Sequence, residues 1–119
     1  LVNVISTALA AVTAALDAAD IYATIDSRNI AAPGCFVNVT KIDEFTLGDS
    51  ARVTGTIVAV VKDLGGAADI YALNELCNHV LAALVDTGIT VEYIETNHQA
   101  SPPSGGKLPA IKMNYTVYI

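Results

Sequence analysis

Two runs of β-branched residues on either side of a Gly-Asp pair restrict this chain more than any other feature. "CFVNVTKIDEFTL" (35–47) and "SARVTGTIVAVVKD" (50–63) flank Gly48-Asp49, the pattern of a β-hairpin with turn-forming residues at its tip. In the second arm Val53, Gly55, Ile57, Ala59 and Val61 fall on one face, and Arg52, Thr54, Thr56 and Lys62 on the other. One face is therefore expected to be buried and the other wet, as in an antiparallel sheet covered on one side. Arms of about 12 residues reach about 40 Å. A compact domain of 119 residues is only about 35 Å across. The hairpin must curl or protrude, and a protruding hairpin tends to meet a neighbour.

Two amphipathic segments supply the cover. Ile5, Leu9, Val12 and Leu16 share one face of a first helix whose gaps are filled by alanine, the best helix former. "LGGAADIYALNELCNHVLAALVDTG" (64–88) carries a stripe of Ile70, Leu73, Cys77, Val80 and Leu84, widened by Leu76 and Leu81. Asp69 falls in its first turn, where the helix dipole favours a carboxylate, and Gly88 suits a left-handed stop. Two further strands, "ITVEYIET" (89–96) and "PAIKMNYTVYI" (109–119), are joined by "NHQASPPSGGK" (97–107). The order is α-β-β-α-β-β. That is an α+β fold in one domain spanning 1–119, with an antiparallel sheet, a long hairpin and both helices on one face.

Charge and motif content exclude several functions. Twelve acidic residues against six basic ones give a net charge of −6, which repels phosphate backbones and disfavours tight nucleic-acid binding. No run of about 18 apolar residues occurs, so no membrane span is expected. The alanine-rich N-terminal segment lacks a basic leading region, its first positive charge being Arg28, and is read as a helix rather than a secretion signal. Cys35 and Cys77 fit no metal spacing and are read as free, mostly buried thiols.

The stretch Ser101, Pro102, Pro103, Ser104, Gly105, Gly106, Lys107 superficially resembles a phosphate-binding loop. That loop requires Gly, four residues, then Gly-Lys-Ser/Thr opening a helix. Here Ser101 stands five before Gly106, Leu108 follows Lys107, and a strand comes next. The phosphate reading fails. Cys77 and His79 lie two apart on a helix and point about 200° apart, so they form no dyad. Asp43 and Glu44 alternate on a strand and are expected on opposite faces. No catalytic, cofactor or metal site is expected, and the chain does not read as an enzyme.

One segment carries a family resemblance. In "ATIDSRNIAAPGCFVNV" (23–39), Thr24, Asp26 and Arg28 are followed by Pro33, Cys35 and Val37. With the hairpin, the Asp-led helix, the Gly turn and the closing Leu108-Pro109-Ala110, the chain resembles the tail terminator (tail completion) proteins of long-tailed bacteriophages, particularly those infecting actinobacteria. It departs from their pattern in having Ser27 where a proline is usual and an extra Gly34 between Pro33 and Cys35.

The resemblance implies a structural virion protein, without cofactor, assembled in the host cytoplasm and located at the head–tail junction. It implies a homo-hexameric ring on the head-proximal end of the tail tube. The ring stops tube polymerisation and presents a surface to a head-side connector or stopper protein, while DNA passes through without tight binding. The acidic balance suits such a channel. Candidate assembly contacts are Asp26, Arg28, Gly48, Asp49 and the 101–107 loop. Arg28 either bridges to a neighbour's carboxylate or caps its own Asp26 segment. The loop either meets the tube or connector or is a solvated connection. Other readings are another neck component (a stopper or adaptor), a pilus or secretion-tube subunit, and a small dimeric α+β ligand-binding or enzymatic domain.

Overall fold

The computed structural model describes residues 3–44, 50–103 and 105–119. Gly48, Asp49 and Ser104, three of the candidate contacts, lie outside the described residues. In chain order the elements are α1 (Val4–Ala18), β1 (Ala23–Thr24), a 3-10 turn (Ser27–Asn29), β2 (Gly34–Asp43), β3 (Arg52–Val60), α2 (Ala67–Ala83), β4 (Thr90–Ala100) and β5 (Leu108–Tyr118). The strands form one sheet in the order β1-β2-β3-β5-β4. This is the expected α+β architecture, with two helices on one face of a mostly antiparallel sheet. The addition is β1, which pairs parallel to β2 through Ala23–Cys35 and Thr24–Phe36.

The helix-covered face follows the alternation of the strands. Val53, Ile57 and Ala59 of β3 join Ile111, Met113, Tyr115 and Val117 of β5 in the main core. Ala8, Val12 and Leu16 of α1 and Val80 of α2 close it from above. Each large side chain buried there stabilises the fold by about 1.5–3 kcal/mol. Leu73, Leu76 and Cys77 are only partly buried against this core. Ile70 and Leu81, expected in the α2 stripe, are exposed, Ile70 at 66%. The helix presses on the sheet through its second half, and its first turn stands clear.

The other face is not uniformly wet. Val58, Val60, Ala100 and Ala110 form a second small cluster, against which Ile30, Ala32, Phe36 and Leu108 pack. The irregular 25–33 segment therefore folds over one end of the open face. Thr56, assigned to the wet side by alternation, is also buried. Its hydroxyl donates to Asn38 Oδ1 at 2.5 Å. The last hairpin differs too. β4 continues through Asn97, His98 and Gln99 to Ala100, paired with β5 to Leu108, so the connection shortens to 101–107. Two irregularities, at Val91/Tyr93 and Glu95/His98, keep it in register.

The registers fix two ends along the 50 Å axis of the molecule. Gly34 pairs with Val60, and Val60 with Ala110, so the 19–33, 61–66 and 101–107 connections gather at one end. Asp43 pairs with Arg52, and Arg52 with Tyr118, so the end of β2, the start of β3 and the end of β5 mark the other. The α2–β4 connection also lies toward that second end, since Thr90 pairs with Thr116.

Candidate assembly interface

The segment bearing the family resemblance is a small built unit at the first end. Asp26 caps the 3-10 turn, accepting from the Arg28 backbone N–H at 2.9 Å. The Arg28 guanidinium also grips that carboxylate, Nε to Oδ1 at 3.1 Å and Nη2 to Oδ2 at 2.9 Å. Thr24 Oγ1 accepts from the Asp26 N–H at 3.1 Å, and the Tyr22 hydroxyl donates to the Asn29 carbonyl at 2.7 Å. Within the single chain Arg28 lies on its own Asp26, with 85% of its side chain exposed. The side-chain hydrogen bond from Arg28, then its backbone N–H, hold the Asp26 carboxyl below its usual range.

The 101–107 turn lies at the same end. Pro102 is buried, and Gly105 N–H donates to the Pro102 carbonyl at 3.0 Å. Gly105 and Gly106 have φ of 91° and 76° with open space around them. They supply left-handed backbone conformations that other residues adopt at a cost. Lys107 is exposed. Asp26, Arg28 and this turn thus share one end of the fold.

An open groove of about 700 Å³ runs between α2 and the segments 20–22 and 61–64. Its floor is apolar, with Ile21, Pro33, Val61 and Leu76, and its rim carries Asp20, Lys62, Glu75 and His79. Tyr22 and Leu64, which also line it, are exposed at 45% and 62%. Ile70 and Tyr71 stand exposed on the first turn of α2, beside Asp69. The Asp69 carboxylate accepts from Leu64 N–H at 2.6 Å and Gly65 N–H at 3.0 Å, fastening the 61–66 connection to the helix start.

At the opposite end an ion cluster joins β2, β3 and β5. Arg52 holds Asp43 through Nε and Nη2 at 3.0 and 2.9 Å, and Lys41 lies 3.5 Å from the same carboxylate. Glu44 is 3.6 Å from Arg52 Nε and accepts from the Tyr118 hydroxyl at 2.9 Å. Strand alternation would put Asp43 and Glu44 on opposite faces, but both meet Arg52. The reason is local. β2 ends at Asp43, and Glu44 has φ of 51°, which turns its side chain back.

The sheet edges are blunted. β4 is an outer strand, and β2 is covered by β1 only at Cys35 and Phe36. Both carry register shifts and charged side chains, Glu92 and Glu95 on one and Lys41 on the other. Bulges and charges discourage edge-to-edge pairing.

Among the described residues, no three His, Cys, Asp or Glu side chains gather to hold a metal. His79 lines the groove, whereas Cys77 packs against the core. No helix among them is long and apolar enough to cross a membrane. The chain matches no family model, and no curated protein is significantly similar to it. Tyr22, Leu64, Ile70 and Tyr71, exposed in or beside the groove, were not among the candidates read from the sequence. The available signal was the crowding of apolar residues around the start of α2, which exceeds what one buried stripe requires.

Proposed function

We propose that the chain is a structural virion protein of the tail-terminator kind. In this reading six copies form a ring on the head-proximal end of a tail tube, stop its polymerisation and join the tail to the head connector or stopper. The observation that supports it most is the unit built by Tyr22, Thr24, Asp26 and Arg28. Three of the residues that carry the family resemblance, Thr24, Asp26 and Arg28, are bonded to one another, and Cys35 N–H donates to the Tyr22 carbonyl beside them. A cap between tube and connector needs two different end surfaces. The fold offers an apolar groove with a Pro/Gly-rich turn at one end and an ion cluster at the other. Its acidity also suits a channel through which DNA slides.

Immunogold electron microscopy of intact particles, with an antibody raised against this chain, tests the reading. Gold at the head–tail junction is expected. Binding to the ends of free tubes, with tube lengthening in its absence, separates a terminator from a stopper or adaptor. Particles that remain unlabelled by an antibody shown to recognise the assembled form would remove the proposal.

A further inference from the structure

The groove at the start of α2 lies outside every contact derived from the sequence, and its charge bears on what fills it. Asp20 and Glu75 line it, and Asp63 and Asp69 flank it on the adjoining segments. Lys62 is the one Lys or Arg among its lining residues. A binding surface selects partners of opposite potential. A second copy of the chain has no such potential to bring. Of its six basic residues, Arg28, Lys41, Arg52 and Lys112 are each committed to a carboxylate of their own chain. Of the remaining two, Lys62 lines the groove itself, and Lys107 is a single exposed cation on the 101–107 turn, fewer than the acidic rim would pair with.

We propose that this groove receives a short, basic, apolar segment of a different protein, with one or two large apolar side chains on the floor and lysines or arginines against the acidic rim. Tyr22 and Leu64 form walls beside the floor, and Ile70 and Tyr71 extend the apolar surface beyond them. A volume of about 700 Å³ lies within the range of about 300–1,000 Å³ seen for sites that bury compact apolar groups. The inference goes beyond the ring reading and does not rest on it, since it concerns one end of a single subunit.

The test is an NMR titration of the ¹⁵N-labelled full chain. The probe is the synthetic peptide acetyl-Lys-Lys-Leu-Phe-Lys-Leu-amide, and the control has Glu in place of each Lys. Saturable shifts are expected at the Val61, Leu64, Ala72 and Leu76 amides with the basic peptide alone. Leu64→Ala should weaken binding about tenfold, and Glu75→Lys about two- to fivefold. Both positions are exposed. If Leu64→Ala disturbs the spectrum of the free chain, Glu75→Lys carries the comparison. The proposal is overturned by no shift at about 1 mM basic peptide, the weak limit of useful affinity. It is also overturned by an equal response to the acidic peptide, or by groove shifts that depend only on chain concentration, which would make a second copy the occupant.

Discussion

Tyr115 lies across Gly55, its partner on the neighbouring strand, and its hydroxyl donates to the Asn38 carbonyl one strand further on at 2.9 Å. The arrangement is forced by a shift in the ladder. β2 slips between Val39 and Lys41, and the Thr56 N–H bonds to the Asn38 side chain at 3.1 Å. The tyrosine satisfies the Asn38 carbonyl from across the sheet. A Cβ at Gly55 would stand 2.7 Å from the Tyr115 hydroxyl and also press on that carbonyl.

Gly55→Ala should therefore destabilise the fold by about 1–3 kcal/mol through overpacking. The clash includes backbone, which cannot swing aside. Chemical denaturation of the variant checks this, and unchanged stability would mean that the sheet opens at this point without cost.

Tyr115→Phe keeps the ring and removes the donor. Leaving the part-buried Asn38 carbonyl without its partner should cost about 1–2 kcal/mol. Burial already pushes the phenol up to about 12, so the wild-type hydroxyl stays protonated through the ordinary pH range. Spectroscopic titration should show the Tyr115 phenol ionising well above the ordinary tyrosine range.

Asp26 and Asp43 should titrate below the usual carboxylate range, each held there first by a hydrogen bond from an arginine, Arg28 and Arg52 respectively. Their folded pKa lies below the unfolded value of about 3.9. The contribution to stability is therefore full above that value and is lost as pH falls through the folded pKa. Carboxyl NMR of Arg28→Ala should return Asp26 toward its ordinary value and leave Asp43 unchanged. If assembly also requires the Asp26–Arg28 unit, the same variant should impair tail joining.

The two thiols should differ in reactivity. Burial pushes Cys35 up to about 12, and raises Cys77, which is less buried, from its ordinary value. Native protein treated with a thiol reagent at pH 8 should label slowly at Cys77 and at Cys35 only on unfolding. Equal labelling of both in the folded state would show that the sheet end around Cys35 opens readily.

Both helices, the four long strands and the buried face of β3 were legible in the sequence, because burial on one side of a regular element leaves a period of 3.6 or 2. The divergence of Cys77 and His79 was legible too, one packing against the core and the other lining the groove, since spacing dictates where side chains point. What spacing does not encode is how far an element extends over its neighbour. Ile70 belongs to the α2 stripe by period, yet the helix start overhangs the sheet and leaves it in solvent. Thr56 belongs to the wet face by period, yet its cross-strand partner Asn38 covers it and accepts from its hydroxyl.

The candidate contacts divide in the same way. That Asp26 and Arg28 form a local capped turn is a short-range property, carried by residues two apart. That this turn shares an end with the 101–107 connection, and that Tyr22 and Leu64 meet in one groove, depends on strand pairings between residues far apart in the chain. By itself the sequence determined the elements, their buried faces and the acidic balance, because each follows from local period and composition. Only the tertiary structure decided which connections meet and which apolar side chains stay uncovered, because register and helix placement are set by packing between distant segments.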